Sequence, residues 1–190
     1  MAGRRRFVAA SARTRACPAG SPYYRSVILR CTRRLLDAIK PAHLANDAPY
    51  AEDWYANLLW FDGRKCLLLT HVATLFTVLE PDVRVAALRD TGRLVTAVIA
   101  RELAREELPA DTFGSLDPAG VVLAKTADRS VLAHMTAMAL LCEFMIGEDG
   151  GLVAADIDGI NDRLRRDPIG TRGYQMPIEL TLQRTQRERF

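Results

Sequence analysis

The chain has 190 residues, 49% of them hydrophobic, with 26 Lys and Arg against 23 Asp and Glu. That length supports a buried core without disulfides or metal. Six arginines and no acidic residue fall in residues 1–26, so removing them leaves 20 basic against 23 acidic side chains, a net charge of −3; the basic total therefore gives no support to a nucleic-acid surface on the folded part.

Residues 1–26 are rich in Arg, Ala, Ser, Gly and Pro. The apolar stretch 7–12 is too short and too interrupted for an export signal. The segment reads as a disordered basic tail, or as an upstream extension of a natural chain that starts at Val27. Residues 27–30 read as a short strand. Thr32 can cap a helix over 33–39, which Lys40-Pro41 ends. A polar loop follows over 41–52.

The run 54–71 is the most informative. Two apolar, aromatic-rich segments flank Asp62-Gly63. A two-residue I′ turn needs positive φ at both central residues, so Asp-Gly predicts a hairpin at the centre of the fold. Residues 75–79 read as a third strand, with a short helix as the alternative. Leu94, Val95, Val98, Ile99 and Leu103 recur at helical spacing and predict a helix over 93–108. Residues 121–125 begin β-branched and read as a strand.

Residues 130–146 form the second long helix. Val131, Met135, Met138, Cys142 and Met145 mark one face, and Leu140 and Phe144 lie opposite. Apolar residues all round predict a central, buried helix, interrupted by His134 and Glu143 and too short for a membrane span. A third helix is predicted over 155–166, an edge strand over 177–182, and a frayed end over 183–190. The sum is one α+β domain over 27–182, with a mainly antiparallel sheet, a central hairpin and three to four helices packed on one face. Leu67 or Leu69 is expected to share a core with Met138.

Four strings carry a family resemblance: Ile28-Leu29-Arg30-Cys31-Thr32 with Leu35-Leu36; the hairpin from Asp53-Trp54-Tyr55-Ala56-Asn57 to His71; Lys125-Thr126-Ala127-Asp128-Arg129-Ser130-Val131-Leu132; and Ile160-Asn161-x-Arg163-Leu164 ahead of Pro168. In this order, over residues 27–180, the chain resembles an uncharacterised bacterial family catalogued only as a domain of unknown function. The resemblance implies a small cytosolic bacterial protein and supplies no catalytic residues. It departs at Ala133 and Thr136, where the family pattern has Gly and Asn.

Candidate chemistry is sparse. Cys17, Cys31, Cys66 and Cys142 are scattered without a Cys-x-x-Cys, and the three histidines add no ligand spacing; the expectation is a reduced, cytoplasmic protein with no metal and no cofactor. Cys66 and His71, five apart on a strand, point to opposite faces and make a poor nucleophile pair. Asp156-x-Asp158-Gly159 fails as a calcium loop, because Ile160 and Asn161 stand where a ligand and a glycine are needed. The segment Lys125, Thr126, Arg129 and Ser130 runs from a strand end into a helix N-terminus, where free N–H groups and the dipole favour anions. Ordinary capping by Thr126, Asp128 or Ser130 is the competing reading, and an Asp128 cap would itself fill the anion position. Asn57 and His71 complete the candidate ligand-binding set.

Two functions follow. The first is a non-enzymatic binding or regulatory module with a protein partner. The second is a small enzyme acting on an anionic metabolite or nucleotide held at the 125–130 turn. A pocket joining His71, Asn57, Lys65 and Arg129 would favour the enzyme, and a flat apolar patch would favour a partner surface. Nucleic acid and membrane are not expected partners of the core domain.

Overall fold

A computed structural model describes residues 27–187. The basic segment 1–26 and residues 188–190 lie outside the described residues. Among the described residues there is one five-stranded sheet and six α-helices. The strands are β1 (Ile28–Cys31), β2 (Trp54–Phe61), β3 (Arg64–His71), β4 (Thr77–Glu80) and β5 (Val122–Lys125). The helices are α1 (Arg33–Ile39), α2 (Val85–Arg89), α3 (Thr91–Arg105), α4 (Arg129–Glu148), α5 (Ile157–Arg166) and α6 (Pro177–Arg187).

The sheet order is β4-β3-β2-β1-β5. β2 pairs antiparallel with β3, and β3 with β4. β1 pairs parallel with both β2 and β5. The fold is therefore α+β with a mixed sheet, not the mainly antiparallel one expected. Parallel neighbours need crossover connections. Those crossovers are segments that the hairpin signal does not address.

The hairpin forms around Asp62 and Gly63, whose φ values of 49° and 73° fit the I′ turn. Asp62 also reaches beyond the turn. Its Oδ2 accepts from Leu152 N at 2.6 Å, tying the hairpin to the segment after α4.

Helices cover both faces of the sheet, which corrects the one-face expectation. Alternate residues of each strand point to opposite sides. On the front face Leu29, Trp54, Ala56, Leu58, Leu67, Leu69 and Val78 pack against Leu35 of α1, Leu88 of α2, and Val95, Ile99 and Leu103 of α3. On the back, Tyr55, Cys66, Leu68 and Leu79 pack against Val131, Met135, Met138 and Cys142 of α4 and Ile160 and Leu164 of α5. Leu67 and Leu69 thus lie across the sheet from Met138. Leu68, between them, shares its core. The uninterrupted run Cys66-Leu67-Leu68-Leu69, all fully buried, is the signature of a strand covered on both faces.

Further corrections concern the helices. The predicted edge strand over 177–182 is the helix α6, which runs on to Arg187, while residues 188–190 of the stretch expected to fray lie outside the described residues. Helix α4 is not buried all round. At 20 residues it is long and apolar enough, by length and composition only, to cross a membrane, yet its inner side is committed to the sheet. Thr32 stands at the N-cap of α1 without a side-chain cap bond. Its Oγ1 donates instead to Asn57 Oδ1 at 2.9 Å.

Two side-chain clusters lock the layers. Buried Asn161 on α5 accepts from Leu79 N at 2.7 Å and donates to Leu79 O at 3.0 Å, completing the edge strand β4 as a neighbouring strand would. Buried Arg165 pairs with Glu102 at 2.9 Å and Glu106 at 2.6 Å, joining α5 to α3. Both belong to the stretch around Ile160-Asn161-x-Arg163-Leu164.

Candidate functional site

The turn between β5 and α4 is built by its own groups. Fully buried Tyr55 holds its hydroxyl under the turn and accepts from Ala127 N at 3.2 Å and Asp128 N at 2.8 Å. Asp128 caps α4: its Oδ1 accepts from Ser130 N at 2.7 Å, Val131 N at 3.4 Å and the Ser130 hydroxyl at 2.7 Å. The Ser130 hydroxyl, with the two amides, holds the Asp128 carboxyl below its ordinary range, and the Arg172 guanidinium adds to this. A carboxylate therefore already occupies the anion position at this helix start. An anion arriving here meets the exposed side chains of Lys125 and Arg129, while the amides of Ala127, Asp128, Ser130 and Val131 are engaged.

The turn divides two clefts. One, of about 480 Å³, is lined by Arg30, the loop 44–49, and Lys125, Thr126 and Ala127. Its floor is buried Arg30, whose Nε donates to Asp53 Oδ2 at 2.5 Å, with Nη1 on Lys125 O at 3.1 Å and Nη2 on Asp47 O at 2.9 Å. The guanidinium thereby ties the polar loop to the end of β5. The other cleft, of about 640 Å³, is lined by Ser130, His134 and Met138 of α4 and by Asp167 to Arg172. Burial pushes the His134 pKa down, and its Nε2 lies 3.4 Å from Thr77 Oγ1. The four turn residues are thus split, with Lys125 and Thr126 on one cleft and Ser130 on the other.

Asn57 and His71 do not join them. Asn57 Oδ1 is engaged by Thr32. His71 is fully buried on the front face, where Trp54, His71, Phe76 and Phe113 form an aromatic nest with His71 and Phe113 centroids 4.4 Å apart. Its Nδ1 bonds Thr74 Oγ1 at 3.1 Å. Its Nε2 has no hydrogen bond and lies 3.7 Å from Glu52 Oε2. Burial pushes the His71 pKa down, against the opposing pull of the Glu52 carboxylate. Burial works against the Glu52 carboxylate too, but His71 and the Arg184 guanidinium more than offset this and hold it at about 2. His71, Asn57, Lys65 and Arg129 line neither cleft together. Cys66 faces the back core and His71 the front nest.

Asp156 and Asp158 are also accounted for. Asp156 caps α5 by accepting from Gly159 N at 3.0 Å, and Asp158 pairs with Arg105. Among the described residues no group of three or more His, Cys, Asp or Glu could hold a metal ion.

The feature that sequence reasoning missed is the outer side of α4. Val131, Met135, Met138, Cys142 and Ile146 turn inward. Ala133, Ala137, Leu140, Phe144 and Gly147 turn outward, and all five are exposed. Leu140 is 62% exposed and Phe144 64%, and Val153 just beyond the helix is 80% exposed. The outward set recurs at intervals of four, three, four and three residues, a seam on one helix side. That spacing was readable in the sequence, but an apolar residue does not announce whether it faces its own domain or another.

A family model described as a domain of unknown function (DUF6933) matches residues 28–180. No curated protein and no solved structure matches the chain.

Proposed function

The chain belongs to the family described as a domain of unknown function (DUF6933), and we propose that it is a non-enzymatic binding or regulatory module of the bacterial cytosol whose partner surface is the outer side of α4. The carrying observation is the exposure of Leu140 and Phe144 in a 20-residue helix. Contiguous exposed apolar area of this kind, rimmed by polar residues, marks interaction sites. Acidic Glu143, Glu148 and Asp149 flank the stripe. Their charge disfavours an anionic membrane surface, which attracts helices with Lys and Arg on the polar face, and so a protein partner fits better.

Cytosolic placement is supported by three free, buried thiols, Cys31, Cys66 and Cys142. Burial pushes Cys31 and Cys142 up to about 12, so these are packing groups and not nucleophiles. The alternative, an enzyme holding an anionic metabolite at 125–130, draws less support because Asp128 and Tyr55 engage the amides such a site would use.

The test is a photo-crosslinking amino acid placed at Phe144 in a bacterial host, with the same group at exposed Ala97 on α3 as control. Protein adducts from position 144 and not from 97 are expected. Equal or absent labelling at 144 would remove the reading.

A further inference from the structure

We infer that the partner seated on α4 is a second copy of this chain, joined through an antiparallel, two-fold helix contact. The inference rests on the reading of this helix side as a partner surface and adds the occupant. The seam Ala133, Ala137, Leu140, Phe144, Gly147 combines small and large residues, with the small ones at its ends. Laid antiparallel on itself with the two-fold axis between residues 138 and 139, it becomes self-complementary. Ala137 of one copy then meets Leu140 of the other, and Ala133 meets Phe144. Each of these layers sets a small side chain against a large one, the arrangement that fills the space between two helices without voids.

Charge selects the same register. Arg129 is exposed at the start of the seam and Glu148 at its end. The axis that aligns Ala133 with Phe144 also sets Arg129 opposite Glu148, twice by symmetry. Antiparallel packing opposes the two helix dipoles favourably as well. A parallel pair would stack Phe144 on Phe144 and Arg129 on Arg129, two large groups and two like charges. A two-fold contact of this kind is isologous and closes at the dimer.

The contact is small. A 20-residue helix is about 30 Å long. A single pair of such helices buries on the order of 1,000 Å² in all, the low end for a specific interface. The dimer is accordingly a weak one, formed and lost in the micromolar range.

The experiment uses the full chain carrying Cys17→Ser, because Cys17 lies outside the described residues while the other thiols are buried. Sedimentation over a concentration series should show a monomer–dimer equilibrium. Phe144→Glu should abolish it with the melting temperature and circular dichroism of the monomer retained. Arg129→Glu and Glu148→Arg should each weaken dimerisation about three- to tenfold, as expected for two exposed ion pairs, and the double exchange on one chain should restore it. Mixing Ala137→Cys with Leu140→Cys chains should give bismaleimide-linked dimers in excess of either chain alone. A monomer at all concentrations overturns the inference, as does a dimer indifferent to Phe144→Glu or a charge exchange without rescue. If the photo-crosslinker at 144 meanwhile captures a different protein, the binding reading stands and only the second copy is lost.

Discussion

Helices α3 and α4 cover opposite faces of one sheet, and their outer sides end differently. Both present a buried stripe to the strands. The outer side of α3 carries Arg93, Arg101 and Arg105 among small alanines, and all three arginines pair with carboxylates, Arg93 with Asp90 at 3.3 Å, Arg101 with Glu80 at 2.6 Å and Arg105 with Asp158. That side is finished for water. The outer side of α4 carries Leu140 and Phe144 with no covering element among the described residues. One sheet thus has a closed face and a face whose outer layer is unfinished. Function is to be sought where the apolar pattern exceeds what the fold itself buries.

The separateness of the two faces is tested most severely in the core. Leu67→Ala and Leu68→Ala should each cost about 2–5 kcal/mol, since both side chains are fully buried. Their coupling to Met138→Ala should differ. Leu68 shares the back core with Met138 and should be non-additive by about 0.5–3 kcal/mol, whereas Leu67, across the sheet, should be additive. Urea denaturation of the singles and doubles reads this directly, and equal coupling would mean that the faces are not separate.

Next comes the edge strand that both faces share. Asn161→Ala strips Leu79 of both a donor and an acceptor at a fully buried site, and each orphaned group costs about 1–3 kcal/mol. Asn161→Asp keeps the acceptor for Leu79 N but loses the donor to Leu79 O, and should be at least as damaging. A neutral Asn161→Ala would show that β4 has no need of this cap.

A smaller effect reads the closed face through pH. Burial depresses the folded pKa of His71 below its ordinary value of 6.5. As pH falls below about 6.5, the unfolded chain takes up the proton before the folded one. Stability is therefore present above that pH and is lost below it, by up to about 1.4 kcal/mol per pH unit for this group. His134, also depressed by burial, adds in the same direction. The loss between pH 7 and pH 5 should shrink in His71→Gln, whatever the absolute stability of that variant. An unchanged slope would mean that burial does not depress His71.

The smallest expected effect belongs to the unfinished face. Leu140→Ser and Phe144→Ser should leave monomer stability within about 0.5 kcal/mol, as for surface positions generally. A loss of several kcal/mol on thermal unfolding would place these side chains inside the domain after all.

Local chemistry was legible wherever the information is local. Asp62-Gly63 determined the hairpin turn, because only a few residue types accept two successive positive φ values. The end of α1 followed from Lys40-Pro41, and the spacing of Val95, Val98, Ile99 and Leu103 placed α3 to within a few residues. Membership of an uncharacterised family was legible too, and the residues around Asp128, Asn161 and Arg165 cap α4, seal β4 and bridge α3 to α5.

What the sequence did not determine is what each apolar stripe faces. The run Cys66-Leu67-Leu68-Leu69 says that a strand is buried, but the second helical layer that buries it comes from segments far along the chain. Asp128 could have left the helix start open to an anion; the Tyr55 hydroxyl beneath the turn and the cap above it close it, and Tyr55 is more than seventy residues away in sequence. His71 read as a titratable group at a strand end and proved to sit inside an aromatic nest completed by Phe113. Helix α4 read as buried because hydropathy records the chemistry of a side chain and not its neighbours. Only the tertiary structure decides which side of such a helix meets its own sheet and which is left for another surface, because that choice is made by long-range packing.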